Sequence, residues 1–181
     1  MQRRIAITTY DDIPAQYRAT PVERLLAWHN GFSSEPETAV THAEMLIGMC
    51  MDNRKKLRIP ENFAFILRAG GGNLRPSEFK VSYAIAVGGV RSIAIIVHNH
   101  CGMVGLSARR EQFVEGLVDA GWERELAEQH FDSYAPFFEI GNEIDFVLVE
   151  AKRLRARYPR VLVAPLLYNV EDNRLYCLNE E

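Results

Sequence analysis

Cysteine is scarce in this chain: there are 3 in 181 residues, at positions 50, 101 and 177. An odd, widely spaced set is not the framework of a small secreted domain, which carries more cysteines in even number. Reduced thiols are the expectation, each available for metal binding, nucleophilic chemistry or plain burial. A basic excess is missing too. Lys and Arg number 21 against 24 Asp and Glu, for a formal net charge of −3 and a pI near 6.0. That balance argues against nucleic acid or a membrane surface as the main partner. No apolar run is long enough to cross a bilayer, and the opening MQRRIAITTYDD has no secretory hydrophobic segment. The expected setting is the cytoplasm. Gly70-Gly71-Gly72 lacks both a following G-K-[ST] and the G-x-G-x-x-G spacing, so a tight turn needing positive φ explains it better than a phosphate cradle.

What is present is an ordinary globular composition, 48% hydrophobic and 25% charged, enough to build one buried core. Residues 1–19 are polar and mixed, expected to be an arm or surface loop. Thr20-Pro21-Val22-Glu23 is a capping-box pattern with proline at the first helical position, predicting a helix through Leu25, Leu26 and Trp28 to Gly31. Residues 33–41 are expected to be a loop. Strands are expected at 45–50 (MLIGMC), 63–68 (FAFILR), 92–97 (SIAIIV), 161–168 (VLVAPLLY) and 174–178 (RLYCL). Between them fall a helix opened by Pro76, one capped by Ser107, a helical stretch at 123–130 and a long helix at about 141–157. This succession predicts an α/β fold: a mostly parallel sheet flanked and covered by helices on both faces, with the last strand an antiparallel hairpin partner.

In open parallel sheets, ligands bind beyond the carboxyl ends of the strands. Two clusters fall there. Cys50-Met51-Asp52-Asn53-Arg54 follows the first strand, and alternation in extended backbone would point Cys50, Asp52 and Arg54 to one side. Arg54 can then grip Asp52 with two parallel hydrogen bonds. His98-Asn99-His100-Cys101-Gly102-Met103 follows the third strand, and a His and a Cys separated by two residues in a turn can chelate one ion. Two thiolates and one imidazole favour zinc, and three protein ligands leave the fourth position open for catalysis. Plainer explanations exist piece by piece. A lone strand-end cysteine is commonly a small buried hydrophobe, an isolated H-x-x-C arises by chance, and Arg54, Lys55, Lys56 and Arg58 read as a solvated charge run.

The pair Cys50-x-Asp52-x-Arg54 and His98-x-x-Cys101-Gly102-Met103 resembles the zinc-site signature of β-class carbonic anhydrases. Leu25-Leu26 to Phe32 resembles that family's N-terminal helix, Arg68 and the following glycines its R-N-A-G-G turn, and Gly89-Val90-Arg91 its G-T-R lead-in. The resemblance covers residues 20–106 well and the C-terminal helix and hairpin loosely. It implies a single domain over 1–181, with an N-terminal helical arm at 1–41 and a zinc-binding α/β core at 42–181. It implies Zn²⁺ held by Cys50, His98 and Cys101, with Asp52 and Arg54 as the catalytic dyad and Asp52 a possible fourth ligand in a resting state. The implied reaction is reversible hydration of carbon dioxide to bicarbonate, by a homodimer or homotetramer that needs no nucleic acid or membrane. Relatives of the same fold hydrolyse carbonyl sulfide or carbon disulfide with a similar site, and a non-catalytic zinc-binding homologue is the remaining alternative.

The chain departs from the family pattern at three places: Asn53 where Ala or Ser is usual, His100 before the second cysteine, and Ala69 where the glycine turn has Asn. His100 is either a proton shuttle or a solvent-facing turn residue. His29, His42 and His130 lack ligand-spaced partners and are expected at the surface or in caps. Cys177 is expected to be a core or edge residue, and Trp28 and Phe32 to pack either on their own core or across a subunit boundary.

Overall fold

The computed structural model describes residues 3–34 and 40–180. Residues 35–39, inside the loop expected at 33–41, lie outside the described residues. The strands and α-helices follow in the chain order β1 Arg4–Ala6, α1 Pro21–Asn30, β2 Met45–Met49, β3 Ala64–Arg68, α2 Glu78–Ala86, β4 Ser92–His98, α3 Arg110–Asp119, α4 Arg124–Phe138, α5 Glu143–Arg157, β5 Leu162–Asn169 and β6 Arg174–Leu178. The strands form one sheet in the order β1-β6-β5-β4-β2-β3. β3, β2, β4 and β5 run parallel, while β6 and β1 are antiparallel additions.

The mostly parallel α/β sheet follows from its buried strands. Every residue of β2 and β4 is buried, as continuous apolar runs require when helices cover both faces. On one face Ile47, Met49, Ala94 and Ile96 pack against Leu25, Leu26 and Trp28 of α1. On the other, Leu46, Ile93, Ile95 and Val97 meet Val81 of α2 and Val147, Ala151 and Leu154 of α5. Alternate side chains of each strand thus supply two cores, about 1.5–3 kcal/mol per large apolar side chain before entropy is counted. Gly48 has no room for a side chain: a Cβ there would lie 2.7 Å from Leu74. Trp28 packs edge-on against Phe63 inside this chain, and Cys177 is fully buried.

α1 starts and stops where its capping pattern predicts. The Thr20 hydroxyl accepts from the amide of Val22, Pro21 is the first helical residue, and Gly31 closes the helix at φ 79°.

Four expectations need correction. The first nineteen residues are more than an arm, because Arg4–Ala6 pairs with β6 and Ile7, Ile13 and Tyr17 are buried. A strand of three residues is too short to show alternation. β3 is not covered on both faces: it is an edge strand with Phe65 and Ile66 40% and 44% exposed. Ser107 caps no α-helix; it sits within a 3-10 turn at Leu106–Arg109, and its amide and hydroxyl both donate to Glu139. The stretch expected at 123–130 continues to Phe138, with Pro136 carried inside its last turn at the cost of the amide hydrogen bond that proline cannot make.

Candidate metal centre

Cys50 is the first residue beyond β2 and His98 the last residue of β4, neighbouring parallel strands. From β2 the chain pairs outward to β3 on one side and to β4 on the other, so the site lies where the strand order reverses. Asn99 and His100 turn the chain back, His100 with φ 57°, and this brings Cys101 opposite Cys50. The ligand atoms of Cys50, His98 and Cys101 lie within 4.8 Å of one another, and all three residues are buried. The two sulfurs are 4.0 Å apart. Two thiolates at about 2.3 Å from one tetrahedral ion are separated by about 3.8 Å, so the spacing suits a shared metal. A disulfide would need about 2.05 Å.

The imidazole tells the same story. His98 Nδ1 lies 2.9 Å from the carbonyl oxygen of Asn99, which can only accept, so Nδ1 carries the proton and Nε2 keeps its lone pair. That Nε2 is buried and has no hydrogen-bond partner among the described residues. A buried acceptor left without a donor costs about 1–3 kcal/mol, which coordination would recover. Cys50, His98 and Cys101 therefore fit a metal ion by position, tautomer and donor type.

The two thiols share one hydrogen bond 4.0 Å long, which with the backbone of Asp52 and Gly71 holds Cys50 below the usual thiol range against the opposing cost of burial. Cys101 is pushed up by the same pairing and by burial. Two thiols sharing one proton in this way titrate as a pair. The Gly71 contact needs the turn expected at Gly70–Gly72. Gly71 and Gly72 both have positive φ, and a Cβ on Gly72 would lie 3.3 Å from the carbonyl oxygen of Ile96. The amide of Ala69 donates to the Met49 carbonyl, just before Cys50, while the guanidinium of Arg68 donates to the carbonyls of Cys50 and Lys55.

Asp52 and Arg54 meet, though not by strand alternation. The chain leaves the sheet after Met49, and the amide of Arg54 donates to Asp52 Oδ1 at 2.9 Å in a local turn. The guanidinium then donates from Nε to Oδ1 at 3.0 Å and from Nη2 to Oδ2 at 2.6 Å. These bonds hold the Asp52 carboxyl far below the ordinary carboxylate range. Asp52 Oδ2 is 3.9 Å from His98 Nε2, beside the three ligand atoms. Arg54 also donates to the carbonyl of His100 and so ties the two clusters together. The His100 ring is a solvent-facing turn group paired with Glu171 at 2.9 Å, and Asn53 is exposed.

Several neighbours had no signal in the sequence. Glu143, the first residue of α5, accepts the amide of Cys101 at 3.2 Å. Asn99 joins Glu171 and the amide of Val170, fastening the β4 exit to the loop after β5. Lys55 is buried rather than part of a solvated charge run, whereas Lys56 and Arg58 are exposed. An apolar cleft of about 280 Å³ opens beside the centre, its walls including Met51, Gly70, Met103, Leu106, Phe113 and Phe131. His29 is also buried, not at the surface, because α1 turns it inward onto Tyr168, while His42 is exposed as expected. His130 is half-buried among Phe113, Trp122 and Tyr134 and belongs to no group of three potential metal ligands among the described residues.

Neither family models nor curated proteins match the sequence. Solved structures do. A carbonic anhydrase from Glaciozyma antarctica aligns with 90% of this chain and 98% of its own, at TM-score 0.62 and 22% identity. A β-carbonic anhydrase from Trichomonas vaginalis aligns with 81% of this chain and 90% of its own, at TM-score 0.63 and 18% identity. A carbon disulfide hydrolase in its apo form aligns with 79% of this chain and 82% of its own, at TM-score 0.56 and 19% identity. With its six-stranded sheet between helices and a buried Cys-His-Cys group able to hold a metal, the chain has a β-carbonic-anhydrase-like fold.

Proposed function

We propose that this chain is a zinc-dependent carbonate dehydratase that interconverts carbon dioxide and bicarbonate. What supports this most is one juxtaposition: two buried sulfurs and a bare imidazole nitrogen converge, and an ionised carboxylate is held 3.9 Å from that nitrogen. Zinc held by Cys50, His98 and Cys101 would supply Lewis acidity that makes water a nucleophile near neutral pH. Two thiolates donate more charge than neutral imidazoles, so activity is expected to rise through the range above neutrality. Asp52 can only accept hydrogen bonds while ionised, so the attacking water donates to it and turns a lone pair toward the substrate carbon. Arg54 keeps Asp52 ionised and oriented through its two-point grip. The cleft past Met51 and Met103 gives an uncharged, apolar substrate a way in.

The apolar lining of the cleft also suits carbonyl sulfide or carbon disulfide, and hydrolysis of these is the second reading. Assembly is proposed as a homodimer or homotetramer. The open edge of β3 and the segment from α2 to Val87 expose Phe65, Ile66, Phe79, Tyr83 and Val87, an apolar face beside an edge strand. A cytoplasmic setting suits the free thiols of Cys50, Cys101 and Cys177.

The deciding experiment is stopped-flow carbon dioxide hydration on zinc-quantified protein, with carbonyl sulfide and carbon disulfide assayed in parallel. The expected result is one zinc per chain and hydration that falls about 100-fold or more in Asp52→Ala with metal retained. Stoichiometric zinc without hydration from pH 6 to 9 would overturn the enzyme reading in favour of a non-catalytic zinc-binding protein.

A further inference from the structure

Lys55 is a buried charged group near the centre whose position the proposed chemistry leaves unexplained. Its side chain is 0% exposed, and Nζ makes no hydrogen bond among the described residues. Burying an ammonium without compensation costs several kcal/mol, so the fold must offset it with charge. The offsetting charge is at the metal centre. Nζ lies 3.6 Å from Asp52 Oδ1; burial pulls the ammonium below the usual lysine range, and the charges of Cys50, Asp52 and Cys101 work against that. The backbone of Lys55 is fixed as well, since its carbonyl accepts from Arg68, the same guanidinium that binds the carbonyl of Cys50.

The two oxygens of Asp52 have different surroundings. Oδ2 faces His98 Nε2 at 3.9 Å and takes the strong hydrogen bond from Arg54 Nη2. Oδ1 is turned back toward the protein, where it takes the amide and Nε of Arg54 and faces Lys55. Arg54 is nearly half exposed, so its hold is weakened by water and salt, whereas Lys55 acts through a buried, poorly screened path.

We propose that Lys55 is a positioning residue: the second, buried cation that anchors Asp52 by Oδ1 and keeps its carboxylate from closing the coordination position that Cys50, His98 and Cys101 leave open. This rests on the metal reading of the site. Without Lys55 the carboxylate keeps only the half-exposed, screened hold of Arg54 against the pull of a metal held by the three ligands. The substitution is then felt as closure of the site, not as loss of metal.

The test uses cobalt(II) in place of zinc, because its visible spectrum reports coordination, and thiocyanate as a probe for the open position. Wild type, Lys55→Met, Lys55→Arg and the double variant Lys55→Met with Asp52→Asn are compared, with near-ultraviolet circular dichroism to check folding. Lys55→Met is expected to bind cobalt at full stoichiometry but thiocyanate about tenfold more weakly or worse. Lys55→Arg is expected to keep wild-type affinity, and the double variant to recover it, because the group that closes the site is gone. Equal thiocyanate affinity and spectra in wild type and Lys55→Met would overturn the proposal. So would weak binding that the double variant does not restore. If Lys55→Met does not fold, Lys55→Gln is compared with Lys55→Arg, and equal affinity in those two would overturn it. Failure of the wild-type chain to take up cobalt is a different outcome, which removes the metal reading itself.

Discussion

Two buried histidines occupy opposite ends of an argument about metal binding. His98 at the end of β4 and His29 in α1 are both nearly inaccessible, and each has an Nε2 with no hydrogen-bond partner among the described residues. They differ at the other nitrogen. His98 Nδ1 faces the carbonyl of Asn99 and must donate, which leaves Nε2 bare. His29 Nδ1 accepts the amide of Arg58 at 3.2 Å, which in the neutral ring puts the proton on Nε2. One ring presents a lone pair to two sulfurs; the other carries its proton on Nε2, its ring tilted against Tyr168 with centroids 5.4 Å apart. Burial and an unmade hydrogen bond are therefore not enough to identify a ligand. The tautomer, set by a backbone group one residue or one loop away, decides it.

The sharpest way to break this comparison is to exchange what each histidine loses. His98→Asn is expected to lower metal affinity by more than about 100-fold, beyond the range seen when only an outer partner of a ligand is lost. His29→Gln is expected to leave it unchanged. Equilibrium dialysis against zinc with metal analysis measures both, and loss of metal in His29→Gln would void the distinction. Cys50→Ser and Cys101→Ser should group with His98→Asn.

The second contrast is in acid. Burial holds His29 down to about 4 from 6.5, and the backbone of Asn173 only partly opposes this. The folded state then binds fewer protons than the unfolded chain between those values. The stability tied to neutral His29 is fully present above about 6.5 and is lost as pH falls toward about 4, by up to about 3 kcal/mol. Urea unfolding of metal-free protein should show this decline, and His29→Gln, whose amide oxygen can still accept from Arg58, should flatten it. The Asp52 carboxyl, held far below its usual range, should stay ionised throughout.

The smallest expected effect is at His100. Its ring is 69% exposed and its pairing with Glu171 is a surface one, so His100→Asn should change stability by no more than about 0.5 kcal/mol. Asparagine tolerates the left-handed φ of 57° that this turn requires. A large loss of hydration rate at unchanged zinc content would instead make His100 a proton carrier.

Much of this was legible in the residues. Continuous apolar runs at 45–49 and 92–97 specify fully buried parallel strands, and Thr20-Pro21 with Gly31 specifies both ends of α1, because caps and turns are local chemistry. Cys50, Asp52, Arg54, His98 and Cys101 were legible as one group because short motifs at the ends of neighbouring strands must converge. The strand at Arg4–Ala6 was not, since three residues carry no period, and its partner β6 lies at the far end of the chain. The half-open β3 was misjudged because an apolar run says nothing about which strand becomes an edge.

By itself, then, the sequence determined most of the element types, the mostly parallel sheet and the Cys-His-Cys group, all of which depend on local pattern and spacing. Only the tertiary structure decided which histidine is bare at Nε2, that Lys55 points inward while Lys56 faces water, and that Glu143 reaches the Cys101 amide. Those facts depend on groups brought together from distant parts of the chain or by the turn of a single loop. Burial there makes each charge and each lone pair count, and no local pattern encodes burial of that kind.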